Sequence, residues 1–323
     1  MLLDEKKINP NLSELYRYFN GKMVRYFNKN GNPKRKYFEE IKCYNCGSRT
    51  YISEFKAGNF RHIRCKDCGM IYVNPRFKEA IAHDLYSESD YTEYYKIKLI
   101  PAVGYRKKIL AANKYKQINE YFDKPGKTLD VGCGLGETLS VFNENGWDCT
   151  GIEFNKFAAD YASRKFGLHV INKSIFDMTG SPAKSYDLIM LWGVLEHLYD
   201  PKKVLRKLRG LLKPGGILVL EVPSADGILV RFVEATSKFV DRIIEGDRHI
   251  MLFSLRAFEQ MAEKCGFKPL KIVSNGLDIA TINRLYLDGA MDNKDVNKLQ
   301  SALDESYQGD LLRGFFRKGT VKK

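Results

Sequence analysis

Short apolar runs alternate with amphipathic stretches in the second half of the chain. Each run has four to six residues and is rich in apolar side chains, as expected for strands buried in a sheet. These runs cover residues 128–131, 149–154, 169–172, 186–191 and 217–222. Helical spacing occurs between them at 155–166 and 201–212. Strands and helices that alternate in this way predict a parallel sheet with helices on both faces.

The pattern beyond the fifth strand predicts a helix followed by a hairpin. The helix is expected over residues 254–265, with Ser254 as its N-cap. Residues 269–274 and 278–287 flank Asn275-Gly276, a pair that favours a two-residue turn. We therefore expect these two segments to form an antiparallel pair at one end of the sheet.

Composition places the chain among globular proteins of about two domains. Its 323 residues are 44% hydrophobic and 28% charged, which excludes wholesale disorder. No apolar run approaches the ~18 residues that cross a bilayer. Charged residues follow Met1-Leu2-Leu3 at once, which is not typical of a signal peptide. We expect a cytoplasmic protein with no membrane partner.

The net charge of +14 is concentrated in the first third of the chain. Residues 1–127 carry 26 basic and 14 acidic residues, whereas residues 128–270 carry 18 of each. A basic surface can attract phosphates and nucleic acid. Because the cations are spread among acids and tyrosines, a solvated basic surface is the favoured interpretation, and nucleic acid is not the expected partner.

Four of the seven cysteines form two C-x2-C pairs with 18 residues between the pairs. Two thiolates in one tight turn can face the same ion, and two such turns complete a tetrahedron. Strands are expected between the pairs at 50–55 and 60–64. Since four protein ligands leave no open position, the predicted zinc site is structural. Its ligands are Cys43, Cys46, Cys65 and Cys68.

A glycine-rich turn follows the first strand of the alternating region. Gly132, Gly134 and Gly136 remove side chains where the backbone must approach a ligand. Glu153 ends the second strand, the position at which doubly wound sheets place an acid that binds ribose hydroxyls. Together these features favour a nucleotide-like cofactor.

These motifs resemble those of class I S-adenosylmethionine-dependent methyltransferases. The resemblance rests on Asp130-Val131-Gly132-Cys133-Gly134, on Glu153, on residues 187–197 and on Leu212-Lys213-Pro214-Gly215-Gly216. With the cysteine pairs included, the chain is similar over residues 43–270 to bacterial methyltransferases that carry an N-terminal zinc ribbon. The resemblance implies an α/β fold with a seven-stranded Rossmann-like sheet, and S-adenosylmethionine as the cofactor.

The resemblance also implies a set of cofactor-binding residues. The glycines would line the methionine and ribose portions, Glu153 would bind the ribose, and Phe154 would lie against the adenine. The usual aspartate for the adenine amino group is replaced by Ser174, with Asp177 three residues later. The complete predicted set is Asp130, Gly132, Cys133, Gly134, Gly136, Glu153, Phe154, Ser174, Ile175 and Trp192.

Two histidines are placed to act on an acceptor. His197 lies just beyond the fourth strand, and His249 lies in the segment that follows the fifth strand. A base assists methyl transfer when the nucleophile is a hydroxyl or a carbon acid. We predict His249 as this base, because its segment leaves the carboxyl end of the fifth strand, where doubly wound sheets bind ligands. His197 would orient the substrate or hold Glu196. Some quinone-forming relatives bind a divalent metal with acids and a Glu-His pair; here Gly193 replaces one acid, so no catalytic metal is predicted.

The predicted function is methyl transfer to a small polar acceptor, such as a sugar, a nucleotide-sugar or a glycan precursor. A ribosomal or transfer RNA methyltransferase and a non-catalytic zinc-ribbon scaffold remain alternatives, and the oligomeric state is left open. The predicted organisation has five parts. These are an N-terminal extension (1–40), a zinc ribbon (41–77), a helical connector (78–126), a methyltransferase domain (127–290, with a lid at 223–253) and a helical tail (291–323).

Overall fold

The computed structural model describes residues 4–11, 14, 21–85, 88–177, 184–236, 244 and 246–319. The strands in this part of the chain belong to a two-stranded, a four-stranded and a seven-stranded sheet. They are β1 (Phe38–Glu39), β2 (Tyr51–Ala57), β3 (Phe60–Cys65), β4 (Ile71–Val73), β5 (Arg76–Phe77), β6 (Lys127–Val131), β7 (Asp148–Ile152), β8 (His169–Ile171), β9 (Tyr186–Trp192), β10 (Leu212–Pro223), β11 (Met251–Leu252), β12 (Phe267–Asn275) and β13 (Leu311–Lys318).

The seven-stranded sheet has the order β12-β13-β10-β9-β6-β7-β8. The strands from β10 to β8 in this order are parallel, and β13 is antiparallel to both of its neighbours. Strand β9 is almost wholly buried from Leu188 to Leu191, as expected for a central parallel strand. This arrangement confirms the predicted α/β class with a seven-stranded sheet.

Helices pack against both faces of this sheet. They are α1 (Glu5–Ile8), α2 (Glu79–Leu85), α3 (Glu88–Tyr94), α4 (Ile100–Arg106), α5 (Ala112–Asn119), α6 (Glu137–Glu144), α7 (Lys156–Phe166), α8 (Pro201–Leu211), α9 (Ile228–Thr236), α10 (Leu255–Lys264), α11 (Asp278–Tyr286) and α12 (Asn293–Glu305). Wider helical turns over Tyr95–Leu99 and Lys107–Ala111 join α3, α4 and α5.

Local sequence accounts for the boundaries of the main helices. Asn155 caps α7 and Ser254 caps α10, each side chain accepting a backbone N–H three residues later at 3.0 Å. Asp200 caps α8 in the same way, and Pro201 occupies its first turn. The predicted helices over 155–166, 201–212 and 254–265 are thus confirmed to within one or two residues.

The predicted hairpin at 269–274 and 278–287 is wrong. Residues 278–286 form α11, and the antiparallel partner of β12 is β13. The buried carboxylate of Asp278 accepts the backbone N–H groups of Asp310 at 2.8 Å and of Leu229 at 3.3 Å. Asn275-Gly276 therefore leads from a strand into a helix whose start is fixed by contacts with distant segments.

The segment 291–323 contains more than the predicted helical tail. Helix α12 is present, but β13 follows it and lies between β10 and β12 in the sheet. Phe315 and Phe316 are buried on this strand. The sheet consequently includes residues beyond position 290. The other domain boundaries stay predictions.

The cysteine-rich region forms a four-stranded antiparallel sheet of order β11-β4-β3-β2. Strands β2 and β3 confirm the strands predicted at 50–55 and 60–64. The edge strand β11 comes from the segment predicted as a lid, and Cys43, Cys65 and Cys68 belong to the same buried cluster as the core of the seven-stranded sheet. The ribbon and the α/β body therefore share one core.

Within the described residues, no helix combines the length and the apolar character that a membrane crossing requires.

Candidate functional site

The glycine turn connects β6 to α6 at the carboxyl edge of the sheet. Gly132, Gly134 and Gly136 have φ values of 71°, 55° and 82°, in the region that favours glycine. A Cβ on Gly132 would lie 2.6 Å from Val194 Cγ2, and one on Gly136 would lie 2.8 Å from the Cβ of Ala162. The first and third glycines thus permit close packing within the protein.

Glu153 lies beside this turn at the end of β7 and is only 2% exposed. Its carboxylate accepts the backbone N–H of Gly134 and that of Asn155, both at 2.9 Å. Burial raises the pKa of Glu153, and these N–H groups together with the Tyr95 hydroxyl oppose that rise. The carboxylate is held rigidly at the ligand-binding edge of a doubly wound sheet.

Tyrosines from the helical connector cover the turn. Tyr95 is buried, and its ring lies 3.6 Å from the point where Gly134 would carry a Cβ. Tyr91 meets Phe154 edge to face with ring centroids 5.0 Å apart. These tyrosines pack the connector against the glycine turn and the residue that follows Glu153.

Ser174 and Ile175 occupy the loop after β8. The Ser174 hydroxyl accepts the Phe176 N–H at 3.2 Å, and the Ile175 side chain is buried in the main core. Asp177 is exposed, and its N–H donates to the Ser174 carbonyl at 3.0 Å. Ser174 is therefore engaged in its own turn, and the exposed Asp177 follows it; a contact of either with the adenine stays a prediction.

Trp192, at the end of β9, lies among buried charges that sequence reasoning missed. Lys114 Nζ is 3.9 Å from the centre of the indole ring, and Lys114 pairs with Glu221 at 3.3 Å. Arg313 Nε donates to Glu221 at 2.9 Å. Although burial alone would raise the pKa of Glu221, these two cations lower it to about 2. Trp192 is positioned by a network that spans three separate segments.

Asp130 and Cys133 face the interior. Asp130 is 1% exposed, and within the described part of the chain its Oδ1 has no hydrogen-bond partner. Burial raises the pKa of Asp130 to about 8, which favours the neutral form of this carboxyl. The Cys133 side chain packs in the core beneath the turn. These two predicted cofactor residues support the turn from inside.

Arg106 and Lys107, at the end of α4 and in the turn that follows it, are paired with acids. Arg106 Nε donates to Glu137 at 3.0 Å, and Lys107 Nζ donates to Glu144 at 2.5 Å. Both acids belong to α6. These two cations fasten the connector to the α/β body.

Glu196, His197 and His249 come together beyond the carboxyl end of β9. The rings of His197 and His249 have centroids 5.0 Å apart, and His249 Nε2 is 4.0 Å from Glu196 Oε1. His197 Nδ1 donates to the carbonyl of Arg248 at 2.9 Å, which assigns the proton of a neutral His197 ring to Nδ1. The structure thus brings both candidate bases to one place.

Glu196 is the buried member of this group, at 2% exposure. Burial raises its pKa to about 8, and its Oε2 has no hydrogen-bond partner within the described residues. Gly193 supplies no second acid beside Glu196, and a Cβ on it would lie in ordinary contact with Glu196 Oε1, at 3.4 Å. The three side chains offer ligand atoms within 4.8 Å of one another. The absence of a catalytic metal stays a prediction.

The four cysteines converge as their spacing predicts. Their sulfur atoms all lie within 4.8 Å of one another, with Cys43–Cys68 and Cys46–Cys65 each at 3.5 Å. A zinc ion with ~2.3 Å bonds to four thiolates needs sulfur–sulfur distances of about 3.8 Å. In both turns the glycine after the second cysteine donates its N–H back to the first, at 2.9 and 3.0 Å. The donor set and its spacing fit a tetrahedral metal site.

The strand order and the site at the carboxyl ends of β6, β7 and β9 define a Rossmann-like methyltransferase fold. A family model described as a methyltransferase domain matches residues 104–272, more than half of the chain. The chain therefore belongs to the methyltransferase-domain family.

Curated relatives and a solved structure agree with this class. The ubiquinone biosynthesis O-methyltransferase of Coxiella burnetii is 25% identical over 166 residues, covering 49% of this chain and 71% of the relative. Its Bordetella avium counterpart is 26% identical over 183 residues, covering 54% and 74%. The 1,6-didemethyltoxoflavin-N1-methyltransferase of Burkholderia thailandensis has a similar fold, with a TM-score of 0.53, 12% identity, and coverage of 83% of this chain and 100% of that one.

Proposed function

We propose that this protein transfers the methyl group of S-adenosylmethionine to a hydroxyl of a small polar acceptor, and that its four cysteines bind a structural zinc ion. The observation that carries the proposal is the rigid Glu153 carboxylate beside a three-glycine turn at the carboxyl edge of the sheet. The relatives named for an O-methyltransferase favour an oxygen acceptor. Neither is named for a sugar, so a sugar acceptor remains the less supported choice.

Cofactor binding in this proposal uses the turn, Glu153 and the aromatic side chains around them. Glu153 would accept hydrogen bonds from ribose hydroxyls, and the 47%-exposed ring of Phe154 would lie against the adenine. Tyr95 donates to the same carboxylate and covers Gly134. Entry of the cofactor therefore requires Tyr95 to move away, and its ring then becomes a wall of the occupied site.

The proposed chemistry needs positioning and one proton transfer. The bound cofactor supplies a methyl group on a sulfonium that is already a good leaving group. His249 would take the proton of the acceptor hydroxyl as the oxygen attacks. Glu196 Oε1 lies 4.0 Å from His249 Nε2 and would help to position the imidazole ring. His197 is held by the Arg248 carbonyl and would orient the acceptor.

A ligand-binding experiment tests the cofactor assignment directly. S-adenosylmethionine and S-adenosylhomocysteine are expected to raise the melting temperature in proportion to their occupancy, while NAD and ATP leave it unchanged. Release of S-adenosylhomocysteine with a panel of hydroxylated aromatic acids, amines and sugars then identifies the acceptor class. Equal stabilisation by NAD contradicts the cofactor assignment, and turnover with amines alone contradicts the hydroxyl acceptor. A cytoplasmic location stays a prediction.

A further inference from the structure

The segment that carries His249 rests on the cysteine-rich ribbon at both of its ends. Before the histidine, Gly246 lies so close to the ribbon strand β3 that a Cβ on it would be 2.2 Å from the Cβ of Phe60. After the histidine, Met251 and Leu252 pair with Tyr72 and Ile71 of β4. The ribbon therefore supports the backbone on either side of the candidate base.

A further backbone hydrogen bond and a side chain continue this support to the metal site. Val73 N–H donates to the Ile250 carbonyl at 3.1 Å. The Ser254 hydroxyl donates to the carbonyl of Cys68 at 2.5 Å and accepts the N–H of Ala257 at 3.0 Å. One side chain thus joins the second cysteine turn to the first turn of α10.

The opposite side of the same segment faces the candidate acceptor site. Ile250 N–H donates to the Glu196 carbonyl at 3.2 Å, and His197 donates to the Arg248 carbonyl. Strand β11 has only two residues, and a strand this short has no stability of its own. Its position between the ribbon and Glu196 must be imposed by the elements on both sides.

Charge complementarity fastens the ribbon to the α/β body. Four thiolates on one divalent ion carry a net charge of −2, and two lysines from the body bind the backbone of the first cysteine turn. Lys202 of α8 and Lys264 of α10 donate to the Asn45 carbonyl at 2.6 and 3.2 Å, while the Asn45 side chain donates to Gln260 at 3.0 Å. Occupation of the metal site favours this docked arrangement.

We propose that the four-cysteine metal site positions the candidate acceptor site. A bound metal ion fixes the second cysteine turn. Through β4 and Ser254, that turn fixes the backbone that places His249 beside Glu196. The proposal rests on the proposed role of His249. It predicts that the acceptor half of the site, formed by Glu196, His197 and His249, is ordered only when the metal ion is bound. The cofactor-binding side of the site, built on β6 and β7, shares the buried core with the ribbon, but its glycine turn and Glu153 are held by their own backbone hydrogen bonds.

Removal and return of the metal test this coupling in the whole protein. Zinc is removed with a chelator, checked by elemental analysis, and then restored. Amide hydrogen exchange at residues 250–254 is expected to accelerate at least tenfold and to recover with zinc, while β6 is unaffected. S-adenosylhomocysteine, used as the probe in calorimetry, is expected to bind within a few-fold of its original affinity. Unchanged exchange at 250–254 in a metal-free ribbon overturns the proposal.

A variant pair keeps the test valid if the metal-free protein unfolds. Ser254→Ala removes the link to Cys68 but leaves all four cysteines, and Ser48→Ala changes a serine beside the other cysteine turn, away from β11. In the zinc-loaded protein, only Ser254→Ala is expected to accelerate exchange at 250–252 and to shift the NMR signals of the His249 ring; Ser254→Thr is expected to restore both. Identical behaviour of Ser254→Ala and Ser48→Ala overturns the proposal, whereas failure of the wild type to bind S-adenosylhomocysteine contradicts the proposed function instead.

Discussion

The cofactor half and the acceptor half of the candidate site are built in different ways. The glycine turn and Glu153 lie within about twenty residues of sequence, and backbone N–H groups hold them together. Glu196 and His249 lie more than fifty residues apart and meet only because β11 docks on the ribbon. The cofactor half is formed by one β-α-β unit, so local backbone hydrogen bonds are enough to hold it. The acceptor half is formed by distant segments, so its geometry depends on the elements that pack between those segments.

The largest expected effect lies in the acceptor half. His249→Ala removes the proposed general base, and such a loss typically lowers turnover by ~10²- to 10⁴-fold. S-adenosylhomocysteine release measures the rate, and calorimetry is expected to show cofactor affinity within a few-fold of wild type. His197→Ala is the matched control and is expected to have the smaller effect. A normal rate in His249→Ala together with a large loss in His197→Ala reverses the two roles.

In the cofactor half, Glu153→Ala is expected to weaken S-adenosylhomocysteine binding. Each charge-assisted hydrogen bond that is lost costs about 1.5–3 kcal/mol, or roughly 10- to 150-fold in affinity. Asp177→Asn serves as the comparison, because Asp177 is exposed in the loop near the adenine region. Equal losses from both variants would show that the adenine loop contributes as much as the ribose acid.

Two glycine substitutions separate packing from ligand contact within the turn. Gly136→Ala places a Cβ 2.8 Å from Ala162, so we expect it to lower the free energy of unfolding by about 1–3 kcal/mol. Gly134→Ala meets only the Tyr95 ring at 3.6 Å and is expected to destabilise less. Denaturant unfolding measures both. A larger loss of stability in Gly134→Ala contradicts the close-packing role assigned to Gly136.

A further expected effect is a change in how stability depends on pH. The pKa of Glu196 is raised by burial to about 8, above its ordinary value of 4.5, so its neutral form stabilises the fold. That stability is complete below pH 4.5 and is lost as the pH rises to about 8. Glu196→Gln is expected to flatten this decline, as measured by unfolding at pH 5 and pH 8. An unchanged slope would mean that Glu196 is ionised at neutral pH and paired with His249.

Most of the fold was predictable because its strands and helices carry local signals. The caps at Asn155, Asp200 and Ser254 place three helices correctly. The error at the end of the sheet has a clear cause. Asn275-Gly276 satisfies the local preference for a hairpin, but buried Asp278 starts a helix by accepting N–H groups from distant residues. No local pattern indicates such long-range hydrogen bonds.

The acceptor half was predictable only as a pair of candidate histidines. Both were identified from their positions after the fourth and fifth strands, yet their 5.0 Å separation depends on tertiary contacts. The buried network of Lys114, Glu221 and Arg313 was missed, because each residue by itself resembles an ordinary surface charge. Only their common burial under Trp192 distinguishes them.

The sequence by itself determined the α/β class, the glycine turn with its nearby acid and the four-cysteine pattern, since each depends on residues close together in the chain. Tertiary structure alone decided that β13 completes the sheet, that Tyr95 covers the turn and that the ribbon carries the strand next to His249. These outcomes depend on which distant surfaces bury each other. That choice follows from the packing of the whole chain, because the free energy of burial is shared among all the segments that meet.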